Sequence, residues 1–293
     1  MASTTIRTTL LMSFLIALLG VAGWGLAGQT GLVGFALIGV AINVGAYWFS
    51  DRIALAAHRA VPLPERDAPA VHRIVAELAA QARIPAPPIY LIPSDSPNAF
   101  ATGRGPGHAV VAVTRGLLEL MDERELRGVL AHELSHVENR DVLVATIAAG
   151  IAGVIATLGH VLQWGLLLGG DRRDDRGSSV ATLAWAVVAP VIALLLQLAI
   201  SRAREYGADD SGAQLTGDPE GLASALGKLE AWSAHRPYER AAPATAHLFI
   251  VNPLHGAFSS LLSTHPPIER RIARLRAKKD NRAPRQWQLR ASH

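Results

Sequence analysis

The chain has 293 residues, half of them hydrophobic, and a formal charge of +4. Its mean hydropathy is positive, which suits a membrane protein with one modest soluble part better than a soluble domain. Cysteine is absent, which excludes disulfides, thiolate metal sites and cysteine nucleophiles. The basic residues are mostly arginine, with Lys228, Lys278 and Lys279 as the lysines. They form no stripe interleaved with aromatics, so no nucleic acid is expected as a partner. No G-K-S/T phosphate loop occurs, so no nucleotide is expected either.

In chain order, the first apolar stretch covers residues 9–28 and the second 32–49. Crossing a bilayer takes about 20 helical residues. The short uncharged linker Gln29-Thr30-Gly31 makes the pair a helical hairpin. The alternative for the first stretch is a secretory signal peptide cleaved after Ala27; Arg7 as its only n-region charge and an apolar run longer than the usual h-region speak against it. Residues Glu65 to Ile84 carry Val71, Ile74, Val75 and Leu78 at helical spacing, which predicts an amphipathic helix ending before Pro85. Ile89–Ile92, Ala99–Thr102 and Ala109–Thr114 read as strands, the last two joined by the glycine-rich turn at 103–107.

Asp122 followed by Glu125 is a capping box and predicts a helix start. Leu126, Val129, Leu130, Leu134 and Val137 give that helix an apolar face. Further apolar stretches cover 142–168 and 180–200. These are rich in Ala and Gly, so they read as spans three and four or as buried soluble helices. His160 lies within span three, near Gln163, and reads as a buried histidine facing the helix bundle. Asp218-Pro219 starts a later helix, with Leu222, Leu226 and Leu229 as its buried stripe. Residues 234–247 read as a mobile loop over the site, and 277–293 as a disordered basic tail facing lipid.

Arg and Lys number 10 in residues 51–141 and 14 in 201–293, while the basic residues of the 171–179 loop are offset by acids. The positive-inside rule then puts both larger segments and both termini in the cytoplasm. The expected domains are a transmembrane hairpin (1–50), a first catalytic part (51–141), a second hairpin (142–200), a second catalytic part (201–276) and the tail (277–293).

The chemistry lies in His132-Glu133-Leu134-Ser135-His136, an H-E-x-x-H string. On a helix, residues four apart share a face, so both imidazoles can reach one metal ion, and Glu133 can reach a water beside it. The string alone also suits a surface helix that carries two histidines. A catalytic zinc keeps three protein ligands and one open position. The best third ligand is Glu205, in Ser201-Arg202-Ala203-Arg204-Glu205-Tyr206-Gly207-Ala208-Asp209. Asp209, one turn on, is expected to accept a hydrogen bond from a ligand histidine and fix its tautomer. Asn98 sits beside a strand suited to pairing with an extended substrate, and reads either as a substrate contact or as a turn residue after Pro97.

With these motifs the chain resembles the HtpX family of membrane-bound zinc endopeptidases. Asn98-Ala99-Phe100-Ala101-Thr102-Gly103, Leu248-Phe249-Ile250-Val251-Asn252-Pro253 and the Ser263–Ile272 block around His265-Pro266-Pro267 match that family in order. The resemblance runs from the first span to about Leu275. It implies a mainly α fold with a small β-sheet: a four-span membrane bundle with a zincin-like cytoplasmic catalytic domain. It implies one zinc ion per chain, Glu133 as general base, and polypeptide substrates drawn from damaged membrane proteins. It also implies a multi-pass place in the bacterial inner membrane and a role in protein quality control under stress. For His265 and Arg271 it implies transition-state stabilisation or support of the acidic ligand motif. Two alternatives stand beside this reading: a dedicated maturation protease related to the prenyl-protein proteases, and a non-catalytic membrane scaffold with structural zinc. The intact Glu133 argues against the scaffold, because a structural site needs no general base.

Overall fold

The computed structural model describes residues 2–141, 202–235 and 266–282. The stretches expected at 142–168 and 180–200, the 171–179 loop, His160, most of the 234–247 loop and His265 lie outside them.

Helix α1 (Ala2–Ala57) is interrupted at Ala27 and Gly28, where φ of Gly28 is 56°. That left-handed conformation favours glycine, which has no Cβ to clash. The chain folds back there. Gly23 and Gly31 approach so closely that a methyl on either would overlap the other's backbone. Asn43 Nδ2 also donates to Met12 O at 2.9 Å. The expected hairpin is therefore present, but it turns at Ala27–Gly28; residues 29–31 already belong to the second arm. That arm also runs past Phe49 to Ala57. Among the described residues one helical segment, Ala27–Gly45, is long and apolar enough to cross a membrane; the apolar part of the first arm, Met12–Val21, is shorter.

The sheet has strand order β1-β2-β4-β3, from β1 (Val61–Pro62), β2 (Ile89–Ile92), β3 (Ala99–Gly103) and β4 (Ala109–Thr114). β2 and β4 are parallel, with Ile89 opposite Val111. β3 is antiparallel to β4, with Ala101 opposite Val111, and lies at the edge. The three strands read from sequence are present. β1 escapes that reading because it is two residues long and includes a proline.

α2 (Pro69–Ala82) starts later than the expected Glu65, because Pro69 fits the first helical turn while 65–67 form a turn. α3 (Arg115–Leu120) begins where Thr114 caps Leu117 N. α4 (Glu123–Glu138), α5 (Arg202–Thr216), α6 (Pro219–His235) and α7 (Ile268–Arg282) complete the described helices. α7 continues through 277–282, which the sequence assigns to a disordered tail. Arg274 and Lys278 pair with Asp210 of α5, and Arg276 with Glu220 of α6, so the charged face of α7 is held against its neighbours.

One core joins these parts. Ile74 and Leu78 of α2, Val111 and Val113 of β4, Val129, Leu130 and Leu134 of α4, and Leu222, Leu226 and Leu229 of α6 are all buried in it. The apolar stripes expected on α4 and α6 are the ones that face inward. Gly128 lets α6 come close, since a Cβ there would meet the backbone of Leu222. α4 is thus packed by α2, α5, α6 and β3, which fixes the helix that carries the histidines.

Candidate metal centre

The start of α4 is pinned first. Asp122 Oδ1 accepts from Glu125 N at 2.8 Å, and Glu125 Oε2 accepts from Asp122 N at 3.0 Å. This is the expected capping box, and each such cap contributes about 1 kcal/mol. Glu125 is also held by Ser224 Oγ at 2.7 Å and Lys228 Nζ at 2.6 Å from α6.

Three turns into the helix, His132 and His136 stack edge to face, with ring centroids 4.8 Å apart. α5 brings Glu205 to both. His132 Nε2 lies 3.8 Å from Glu205 Oε2, and His136 Nε2 lies 3.5 Å from Glu205 Oε1. One donor atom from each of His132, His136 and Glu205 falls within 4.8 Å of the others. The close approach of α5 depends on Gly212, whose Cβ would press on the backbone of Ala131 and His132.

Around this cluster sit the residues that orient it. His132 Nδ1 lies 3.0 Å from Asp209 Oδ1. Arg271 of α7 grips Asp209 through Nε at 2.9 Å and Nη2 at 2.7 Å, and its Nη1 is 3.7 Å from Glu205 Oε2. Burial raises the Asp209 pKa, but the Arg271 charge and the bonds from His132 and Arg271 outweigh it and hold it at about 2. Arg271 is fully enclosed, at 0 % exposure. It braces the acidic pair and has no face to offer a substrate carbonyl. Arg271 thus touches both carboxylates of the acidic motif, Asp209 and Glu205.

Glu133 is buried beside the cluster, and burial raises its pKa. Its Oε2 accepts from the Ala101 backbone N–H of β3 at 3.1 Å. The edge strand and the general-base candidate are thereby tied together.

Asn98 stands just before β3. Its main chain is held by Thr114, through Thr114 N to Asn98 O at 2.9 Å and Asn98 N to Thr114 Oγ1 at 2.8 Å. The residue is only 3 % exposed, so in this conformation it is a buried corner rather than an open substrate contact.

Asp141 is the orienting residue that sequence reading misses. Its Oδ2 lies 3.5 Å from His136 Nδ1. Arg140, with φ of 59°, turns the chain after α4 and carries Asp141 back toward the histidine. Burial lowers the His136 pKa, but the Asp141 hydrogen bond and the charges of Glu205, Glu133 and Asp141 lift it to about 9. The only sequence signal is an acid just past the helix end, at no helical spacing from His136.

Residues 65–279 match peptidase family M48. The chain belongs to that family. A protease HtpX homolog of Syntrophobacter fumaroxidans is 52% identical over 276 residues, covering 92% of this chain and 98% of the relative. Protease HtpX homologs of Desulforapulum autotrophicum and Pyrococcus abyssi are 49% and 51% identical, over 94% and 92% of this chain and 90% and 94% of theirs. The resemblance carried by the separate motifs therefore extends over most of the chain. The crystal structure of S. mikatae Ste24p is similar at a TM-score of 0.52 and 16% identity, over 94% of this chain and 66% of that one. At that identity the likeness is one of fold.

As an M48 member the chain is a metallopeptidase, and its residues fit a metal. Ligand atoms held tetrahedrally at zinc distances lie roughly 3.3 Å apart. The 3.5 and 3.8 Å between the imidazole nitrogens and Glu205 are close to that spacing. The donor set of two imidazoles and a carboxylate is one that catalytic zinc accepts.

Proposed function

We propose that this M48 peptidase is a membrane-bound zinc endopeptidase in which His132, His136 and Glu205 hold one zinc ion per chain. The observation that carries the reading is the convergence of those three side chains beside Glu133. Zinc supplies a nucleophilic water at neutral pH and a Lewis acid for the substrate carbonyl. Glu133 takes the water's proton and returns it to the leaving amine. Its raised pKa suits both halves of that transfer. Asp209 and Asp141 orient His132 and His136 through their Nδ1 atoms, which leaves each Nε2 for the metal.

β3 is the surface on which a substrate is read. Asn98 turns its carbonyl to β4, so residues 99, 101 and 103 direct their main-chain groups the other way. The Ala101 N–H already meets Glu133 on that side. An extended peptide paired there is bound by its main chain, which suits loose sequence specificity.

The substrates are unfolded or damaged membrane proteins, cut at the cytoplasmic face as quality control. The motif resemblance and the HtpX homologs support this reading, and the Ala27–Gly45 segment supports a membrane setting. Four spans, with both termini cytoplasmic, satisfy the charge distribution and bring Glu205 to the same side as the histidines. His265 is kept as a candidate donor to the oxyanion, and Asn98 as a substrate contact that would have to open first. The likeness to Ste24p, being one of fold, lends no weight to a dedicated maturation protease.

Two variants test the centre. Glu205→Ala removes a ligand, and the purified protein is expected to carry less zinc by metal analysis; unchanged stoichiometry would take Glu205 out of the site. Asp141→Asn keeps the shape but not the charge beside His136. Its zinc affinity, read by competition with a chromophoric chelator, is expected to fall by about 10–100-fold. Sidedness is read by reporters fused at Ser178 and at the C-terminus; an exported C-terminal reporter would overturn the topology.

A further inference from the structure

The second arm of α1 does not stop where its apolar segment stops. The segment ends at Gly45, and the helix runs on to Ala57. Trp48 lies about 4.5 Å further along the axis, half exposed. The exposed Phe49 and Arg52 follow, with the Arg52 guanidinium 5.7 Å from the Phe49 ring centre. Aromatic rings and arginine directly after an apolar segment suit the headgroup layer of a bilayer. One turn later the same helix packs on the sheet. Ala54 is buried against Ile92, Phe100 and Ala112, and the His58 ring lies 5.2 Å from that of Phe100. A single unbroken helix thus joins the apolar segment to the sheet and fixes their relative height.

A second contact sets that height. Arg104, in the turn between β3 and β4, lies over the Trp48 ring with its guanidinium carbon 4.4 Å from the centroid. We propose that the 103–107 turn rests on the phosphate layer of the lipid bilayer, with Arg104 as its contact, and that this holds the reading edge of β3 at the membrane surface. This deepens the function proposed above and rests on its membrane setting. The partner is a phospholipid headgroup, chosen on charge complementarity and on continuity with the apolar segment.

The consequence concerns which bonds are cut. Ala101 is two residues back from Gly103, and Glu133 is bonded to it. At about 3.4 Å per strand residue, the main chain that holds the general base stands roughly 7 Å from the turn. The chain a substrate presents there is the stretch just outside its own membrane anchor.

The absence of cysteine makes the height directly measurable. Gly107→Cys places a probe in the turn, where a Cβ meets nothing within 4 Å. Glu119→Cys places one on α3, beyond the far end of β4. Each full-length variant is nitroxide-labelled and reconstituted in phospholipid vesicles. The 107 label is expected to be several-fold less accessible to a water-soluble nickel chelate than the 119 label, and more accessible to oxygen. Equal nickel accessibility at the two sites would overturn the proposal, as would a second copy or soluble partner found covering the turn. A functional arm uses a single-span reporter with an unfolded stretch either directly after its span or after a long flexible linker. The parent is expected to cut the near stretch several-fold faster, and Arg104→Glu to lose that preference while cleaving casein at the parent rate. Equal cutting of both reporters by the parent would overturn the positional consequence. The casein rate and the label measurement keep that failure separate from failure of the peptidase reading.

Discussion

Glu133→Gln is expected to abolish cleavage of casein and of unfolded reporters while the purified protein keeps its zinc. The amide has nearly the shape of the carboxylate, and its oxygen can still accept from Ala101 N–H, now held at 3.1 Å. The fold and the ligand set are therefore left intact, since Glu133 is not one of the three converging donors. What is lost is a group that can take a proton. General-base catalysis is worth about 10²–10⁴-fold in rate, so the residual activity should fall to or below the limit of a fluorescent casein assay. Metal analysis on the same preparation separates lost chemistry from lost metal. A variant that cleaves as fast as the parent would end the account of Glu133 as the base.

Arg271→Met has the second large effect, and it falls first on stability. Arg271 is fully buried and makes two hydrogen bonds to Asp209. Its charge is what outweighs the cost of burying the Asp209 carboxylate. Methionine fills much of the space but takes both guanidinium bonds from Asp209, and removes the positive charge 3.7 Å from Glu205. Breaking one partner out of a buried ion pair costs about 3–5 kcal/mol. The thermal midpoint in detergent should drop clearly, and zinc should be lost more easily. Arg271→Lys should rescue little, because an ammonium cannot reproduce the paired guanidinium bonds. Adding Asp209→Asn to Arg271→Met removes the stranded charge, and should recover part of the midpoint but not the zinc affinity. A parent-like midpoint for Arg271→Met would show that the acidic pair needs no such brace.

Much of this was open to reading from residue types and spacing. The capping box of Asp122 and Glu125, the apolar stripe of α4 and the four-residue step from His132 to His136 are local features, and local rules decide them. Glu205 and Asp209 are legible for the same reason: they repeat that step on α5. The leucine stripe of α6 and the strands β2, β3 and β4 follow from periodicity and turn residues. What resists reading depends on contacts between distant parts. Arg271 is singled out by the family resemblance, but spacing alone leaves it one of several arginines on a charged helix until α7 packs on α5. Asp141 reaches His136 only through the left-handed Arg140, which no helical pattern announces. The Ala101 main chain carries no side-chain signal for its bond to Glu133. The hairpin turn is displaced because close packing of Gly23 on Gly31 draws 29–31 into the second arm. α7 outruns its apolar residues because salt bridges, rather than a buried stripe, hold its end.

The order in which the centre's parts occur along the chain has a consequence for biosynthesis. The imidazoles come at His132 and His136, the carboxylate at Glu205, and the cation that braces it at Arg271, in a helix that closes near the C-terminus. A ribosome finishes most of the polypeptide before the last of these emerges. A copy cut before α7 keeps both histidines and Glu205 but loses the Arg271 bonds to Asp209, and it is expected to hold zinc poorly and to cleave casein slowly. Full activity is therefore expected only once the helix carrying Arg271 has been made and docked, which would spare the neighbours of a half-made copy.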